Sequence, residues 1–147
     1  MHRIEFGAFL AELCRGIMTS FSQDPCEIEL TVETDALYCD IDVAMPLGLI
    51  TNELMTNVFK HGFKDHQRGE ITVTLKRRDD AVVLSVSDTG VGCLDSGECV
   101  TETTTQSHGI GTILIKELVR QIEGKFILMQ DITGTTARVR IPLHGFR

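Results

Sequence analysis

Helical and strand periods follow one another along this chain in an order that restricts its sheet. One helix is followed by two strands, a second helix, two strands, a long polar stretch, a third helix and two last strands. Glu5–Phe21 carries Phe6, Phe9, Leu10, Leu13 and Ile17 at helical spacing. A turn at Ser22–Pro25 leads into Glu27–Thr34, which alternates with Ile28, Leu30 and Val32 on one face, and Ala36–Asp40 can form a short partner strand. Glu70–Arg77 and Ala81–Asp88 have hairpin spacing around R-D-D. The third helix opens at His108-Gly-Ile-Gly111 and runs to about Glu123, with Ile113, Leu114, Leu118 and Ile122 on its expected buried side and Gly124 as its stop. Lys125–Gln130 and Thr135–Pro142 flank a D-I-T-G turn, and His144–Arg147 is expected to fray. Helices that alternate with strand pairs, not single strands, favour a mixed, largely antiparallel sheet with helices on one face, a two-layer α/β sandwich.

The second helix, Pro46–Phe63, holds the most unusual surface, with Asp40 or Asp42 as its cap and Gly62 as its stop. At about 100° per residue, Leu47, Leu54, Met55 and Val58 spread over one broad side. Glu53, Asn57, Lys60 and His61 fall within one narrow arc. A solvated face usually carries Lys and Glu at salt-bridge spacing, whereas this arc mixes carboxylate, carboxamide, ammonium and imidazole. The rest of the surface is nearly all apolar, so burial of the whole helix is expected, with Met45, Met55 and Met129 as core filler. The stripe is then either a satisfied structural network or the lining of a site.

Bulk properties narrow the classes. The chain has 147 residues, enough for one domain (1–147) with its own core. A net charge of −7 argues against a nucleic-acid surface. No window of about 20 residues is continuously apolar, and the start lacks a signal-peptide core, so no membrane contact is expected. Five cysteines without a C-x-x-C pair point to reduced thiols in a cytoplasmic setting.

Two glycine-rich stretches follow. Asp88–Gly92, D-T-G-V-G, puts an acceptor-only carboxylate at a strand end beside glycines that let backbone approach a flat ligand. Such a carboxylate suits an exocyclic amine such as adenine N6. The second stretch, H-G-I-G, opens a helix whose first N–H groups can take a phosphate. Between them, Cys93–His108 has no hydrophobic period and reads as a long loop of functional length.

In this order the stretches resemble the GHKL superfamily of ATPases, which share the Bergerat fold with its ATP lid. The N box is similar to Glu53–His61, the G1 box to Asp88–Gly92, the G2 box to Gly109–Gly111, and the glycine-threonine signature before the last strand to Gly134-Thr135. Within the superfamily, P-L-G-L-I-T-N-E-L-M-T-N-V-F-K-H-G-F is similar to the N box of HWE-type and related sensor histidine kinases.

This resemblance implies an ATP-binding catalytic domain using ATP and Mg²⁺, with Asn57 as the metal ligand and Glu53 orienting a water. Lys60 and His61 would face the phosphates, as would His108 at the edge of the phosphate loop. Asp88 would accept from adenine, supported through a water by Thr135, with Gly90 and Gly92 shaping the base pocket. Gly109, Ile110 and Gly111 would present backbone N–H groups to the phosphates. The lid would be about residues 93–108. The implied partners are a histidine-bearing dimerisation hairpin and a response regulator. Three features depart from the pattern: the 147 residues include no acceptor hairpin, the lid holds no Lys or Arg, and it lacks a phenylalanine box. A serine kinase of the anti-sigma-factor type and an ATP-gated module without phosphoryl transfer are the alternatives.

Overall fold

The computed structural model describes residues 3–21, 28–59, 69–89, 99–102, 110–131 and 134–146. Strands are β1 (Arg3–Glu5), β2 (Ile28–Thr34), β3 (Tyr38–Asp40), β4 (Gly69–Arg78), β5 (Ala81–Asp88), β6 (Cys99–Glu102), β7 (Lys125–Asp131) and β8 (Gly134–Pro142). Helices are α1 (Phe6–Phe21), α2 (Ile41–Asn57) and α3 (Ile110–Gln121). Six strands form one sheet in the order β2-β4-β5-β8-β7-β6, while β1 and β3 make a separate two-stranded ribbon. Only β2–β4 is parallel among the neighbours of the large sheet. The expected mixed, largely antiparallel sheet is present.

The alternation along the strands decides which face is covered. Ile71, Val73 and Leu75 of β4, Val82, Leu84 and Val86 of β5, and Ala137, Val139 and Ile141 of β8 are all buried. Strand register sets these residues side by side, as in Val73↔Val86 and Val86↔Ala137. They form one core with Phe6, Leu10 and Cys14 of α1, Leu47, Ile50, Leu54 and Met55 of α2, and Ile115, Leu118, Val119 and Ile122 in and after α3. A period of 2 on the strands thus meets a period of 3.6 on the helices. No described helix is long and apolar enough to cross a membrane.

Several local expectations are corrected. Arg3–Glu5 pairs with Tyr38–Asp40 as a strand, so the first helix begins at Phe6 and the first expected strand pair is split between two sheets. The Glu5 carboxylate accepts from Gly7 N at 2.8 Å, Ala8 N at 3.3 Å and Leu37 N at 3.3 Å, capping α1 and tying it to the loop before β3. The second helix starts at Ile41 and carries Pro46 inside it; Asp40 holds the N-cap position without a side-chain cap bond. That helix is not buried all round: Ile41, Met45 and Leu49 are exposed, so Met45 is not core filler, while Met55 is fully buried.

Other corrections concern helix faces and the C-terminal residues. Phe9 of α1 and Ile113 and Leu114 of α3 are exposed, because the buried side of α3 runs instead through Ile115, Leu118 and Val119. The chain leaves α3 through Glu123 at φ 59°, one residue before Gly124, with Gly124 N donating to Val119 O at 2.9 Å. The expected loop 93–108 contains β6, whose Val100 and Thr101 add to the open edge of β7; the rest of that range lies outside the described residues. The C-terminal residues do not fray through residue 146. Leu143 N donates to Asp80 O at 3.0 Å, and Phe146 is 4% exposed and bridges Cys39.

Candidate functional site

Asp88 is the last residue of the inward row Val82, Leu84, Val86 on β5, so strand alternation turns it towards the helix layer. It is 7% exposed where a hydrophobic residue would otherwise continue the core. Register pairs it with Ile71 on one side and with Thr135 on the other. Two of the expected site residues, Asp88 and Thr135, are therefore direct cross-strand neighbours.

The backbone around Asp88 is held from both flanks. Thr89 N donates to Glu70 O at 3.1 Å, and Glu70 N donates to Thr89 Oγ1 at 3.0 Å. Across the strand, Gly134 sits at φ 146°, and a Cβ placed there would lie 1.9 Å from Asp88 O and 2.9 Å from its carbonyl carbon. Only glycine fits this crossing. Thr89 and Gly134 were not among the expected site residues. Their signals were present, a hydroxyl directly after the strand-end carboxylate and a glycine directly before Thr135, but each acts on a strand far away in sequence.

Glu53 and Asn57 are half-buried on the final turn and a half of α2, one turn apart and hence on one face. Val58 N reaches back to the carbonyls of Leu54 and Met55, so the helical path passes Asn57. The helix packs on α1 and α3 and touches β5, the strand that ends in Asp88. Thr51, fully buried on α2, donates its hydroxyl to Leu47 O at 2.8 Å, which satisfies it within the helix. Ile110 and Gly111 are the first residues of α3, so their N–H groups belong to the turn that has no intrahelical acceptors. Lys60, His61, Gly90, Gly92, His108 and Gly109 lie outside the described residues.

These features suit a purine nucleotide. A buried carboxylate beside a threonine hydroxyl offers acceptors for an amine, and the start of α3 offers donors for phosphate. Among the described residues no three His, Cys, Asp or Glu side chains gather as a metal cage. Asn57 alone therefore fits Mg²⁺ only in the mode where phosphate oxygens and waters complete an octahedral shell.

The family model described as histidine kinase-, DNA gyrase B-, and HSP90-like ATPase matches residues 42–145. Blue-light-activated histidine kinase 2 of Erythrobacter litoralis is 23% identical over 141 residues, covering 95% of this chain and 39% of that protein. The anti-sigma F factor of Shouchella clausii is 22% identical over 143 residues, covering 94% of this chain and 80% of that protein. Among solved structures, the histidine kinase domain of the Erythrobacter litoralis blue-light kinase superposes with a TM-score of 0.83 at 22% identity, over 96% of this chain and 66% of that one. The mycobacterial sensor histidine kinase MprB gives 0.69 at 16% identity, over 96% of this chain and 97% of that one. Taken with the strand order and the placement of Asp88 and Thr135, the match over residues 42–145 means that this chain belongs to the histidine kinase-, DNA gyrase B- and HSP90-like (GHKL) ATPases.

Proposed function

We propose that the chain is the ATP-binding catalytic domain of a sensor histidine kinase in a two-component system, acting in the cytoplasm. The observation that carries the proposal is the buried Asp88 beside Thr135 at the end of β5, on the side covered by the helix that ends in Glu53 and Asn57. In this reading Asp88 accepts from adenine N6 and Thr135 supports it through a water. Gly90 and Gly92 shape the base pocket. Asn57 holds Mg²⁺ through its side-chain oxygen, and Glu53 orients a water. Lys60, His61 and His108 lie by the phosphates, and the N–H groups of Gly109, Ile110 and Gly111 bind them. Bound Mg²⁺ would neutralise charge on the phosphates.

The domain's own part in the reaction is positioning. An imidazole nitrogen on the partner hairpin attacks the γ-phosphorus, a P–N bond forms, and the bond to the β-γ bridging oxygen breaks with ADP leaving. Transfer to an aspartate of a response regulator follows. A second reading is favoured by the similarity to anti-sigma F factors, which extends over 94% of this chain: the acceptor would then be a serine on a partner protein.

The test is incubation of the domain with γ-labelled ATP and a separately expressed histidine-bearing hairpin encoded with it. Acid-labile, alkali-stable label on the hairpin supports histidine transfer. Acid-stable label on a partner protein supports the serine reading. ATP binding with no label on any partner overturns both and leaves an ATP-gated module.

A further inference from the structure

Among the described residues, most of the large exposed hydrophobic side chains gather on one side of the helix layer. Ile41, Met45 and Leu49 stand one turn apart on α2 and are 53%, 59% and 46% exposed. Their spacing of four residues makes a continuous stripe two turns long. Beside the stripe lies Phe9 of α1, whose Cε2 is 3.3 Å from the Cβ position of Gly48, so the two helices meet there and the ring lies beside the stripe. Tyr38, at the end of the β1–β3 ribbon and three residues before Ile41, extends the apolar surface past the start of α2. Scattered exposed apolar residues need no explanation, but a contiguous set marks a contact surface.

We propose that this face binds a second copy of the chain about a twofold axis. Two of the charges beside it, on α1, are self-complementary. Glu12 and Arg15, exposed on α1 one turn apart, have no ion pair among the described residues. A twofold axis that sets two α1 helices antiparallel brings Glu12 of each copy opposite Arg15 of the other, so each contact occurs twice. The size also fits. The 16 residues of α1 and 17 of α2 lie side by side, giving a face of roughly 25 by 20 Å. With the ribbon added, that is on the order of the ~800 Å² per partner of a standard interface. Apolar residues at the centre and unpaired charges of both signs at the margin are the usual arrangement of such a contact.

The face lies on the first part of α2 and ends at Leu49, one turn before Glu53, so assembly is read by sedimentation and not through nucleotide binding. Sedimentation equilibrium of the whole chain should show a monomer–dimer equilibrium in the micromolar range. Met45→Glu with Leu49→Glu should weaken association by roughly a hundredfold, with the helix content of the monomer unchanged by circular dichroism. Glu12→Arg and Arg15→Glu should each weaken self-association by roughly tenfold, since each puts like charges opposite in both contacts. An equimolar mixture of those two variants should recover the wild-type constant. In the mixed dimer one copy presents only positive charge at positions 12 and 15 and the other only negative charge, so both contacts are restored. A monomer up to near-millimolar concentration overturns the proposal. So does a dimer indifferent to the Met45 and Leu49 changes, or a mixture that stays monomeric. A monomer whose Met45 and Leu49 amide signals move only when a foreign protein is added overturns it in favour of that partner.

Discussion

Replacing Gly134 by alanine tests whether the strand crossing at Asp88 builds the nucleotide site. The added Cβ would stand 1.9 Å from Asp88 O, 2.9 Å from its carbonyl carbon and 3.1 Å from the Cα of Thr89. All three neighbours are backbone, so no side-chain rotation can relieve the contact. The φ of 146° adds a second cost, since an L side chain rarely adopts it. Holding a non-glycine residue there costs about 1–3 kcal/mol, and overpacking costs about 1–3 kcal/mol more. The sum, roughly 2–6 kcal/mol, is a large part of the 5–15 kcal/mol that stabilises a typical domain. The cheapest relief is separation of the start of β8 from the end of β5, which also parts Thr135 from Asp88. Gly134→Ala should therefore lower the urea midpoint and lose ATP affinity further than the stability loss explains, measured where the variant is still folded. Gly16 on α1 is the control, because a Cβ there meets nothing within 4 Å. Gly16→Ala should gain about 0.5–1 kcal/mol by removing a helix-interior glycine. A Gly134→Ala variant with wild-type midpoint and wild-type ATP affinity would refute the reasoning.

Asp88→Asn should weaken ATP by about 1.5–3 kcal/mol, the worth of a hydrogen bond to a charged group, and narrow the preference over GTP; equal wild-type affinity for the two nucleotides would remove Asp88 from base recognition. Asn57→Ala should abolish the Mg²⁺-dependent part of ATP affinity with the fold intact, as read by titration with and without the metal, and an unchanged Mg²⁺ dependence would end that assignment. Burial pushes the Cys14 thiol up to about 12, against a smaller lowering by Arg15, and pushes Cys39 up to about 11 with help from Asp40. Unfolded thiols ionise near pH 8.5, so the native state holds these protons longer. Their contribution to stability is present below that pH and is lost as pH climbs towards 11–12. Native protein at pH 8 should leave both thiols unalkylated by iodoacetamide while urea exposes them, and rapid native alkylation of Cys14 would contradict this.

Most strands of the large sheet were legible because they are long enough to show alternation. Eight residues of β5 and nine of β8 repeat the in–out pattern several times, whereas the pairing of these two strands with each other and the short strand β6 left no local pattern. The three-residue strands β1 and β3 show less than two periods: Ala36–Asp40 was expected as the partner of Glu27–Thr34, and only its pairing with Arg3–Glu5 reveals its neighbour and β1 itself. Helix faces were harder. An apolar residue at helical spacing can face the core or the solvent, and Phe9, Met45, Ile113 and Leu114 all face outward. The tail was misread for the opposite reason: Phe146 is a lone aromatic without a period, and its burial depends on the space beside Cys39.

The site divides along the same line, and the division bears on how the family fold carries its chemistry. Asp88 was legible because it continues the row Val82, Leu84, Val86, so parity alone sends the carboxylate inward. Parity does not hold it there. A buried carboxylate is costly unless its surroundings are fixed around the groups that compensate it. That fixing comes from backbone, through the paired bonds between Glu70 and Thr89 and through Gly134 lying against Asp88 O. Glu70 is 18 residues before Asp88 and Gly134 is 46 after it. Neither contact leaves a pattern in local sequence, because each is a property of register between β4, β5 and β8. Side chains at this end of the sheet can therefore vary while the carboxylate stays in place, whereas the register cannot slip by one residue without turning Asp88 to the opposite face. Position 134 is then more restrictive than its neighbour: the side chain of Thr135 is accommodated in register with Asp88, but residue 134 admits no side chain.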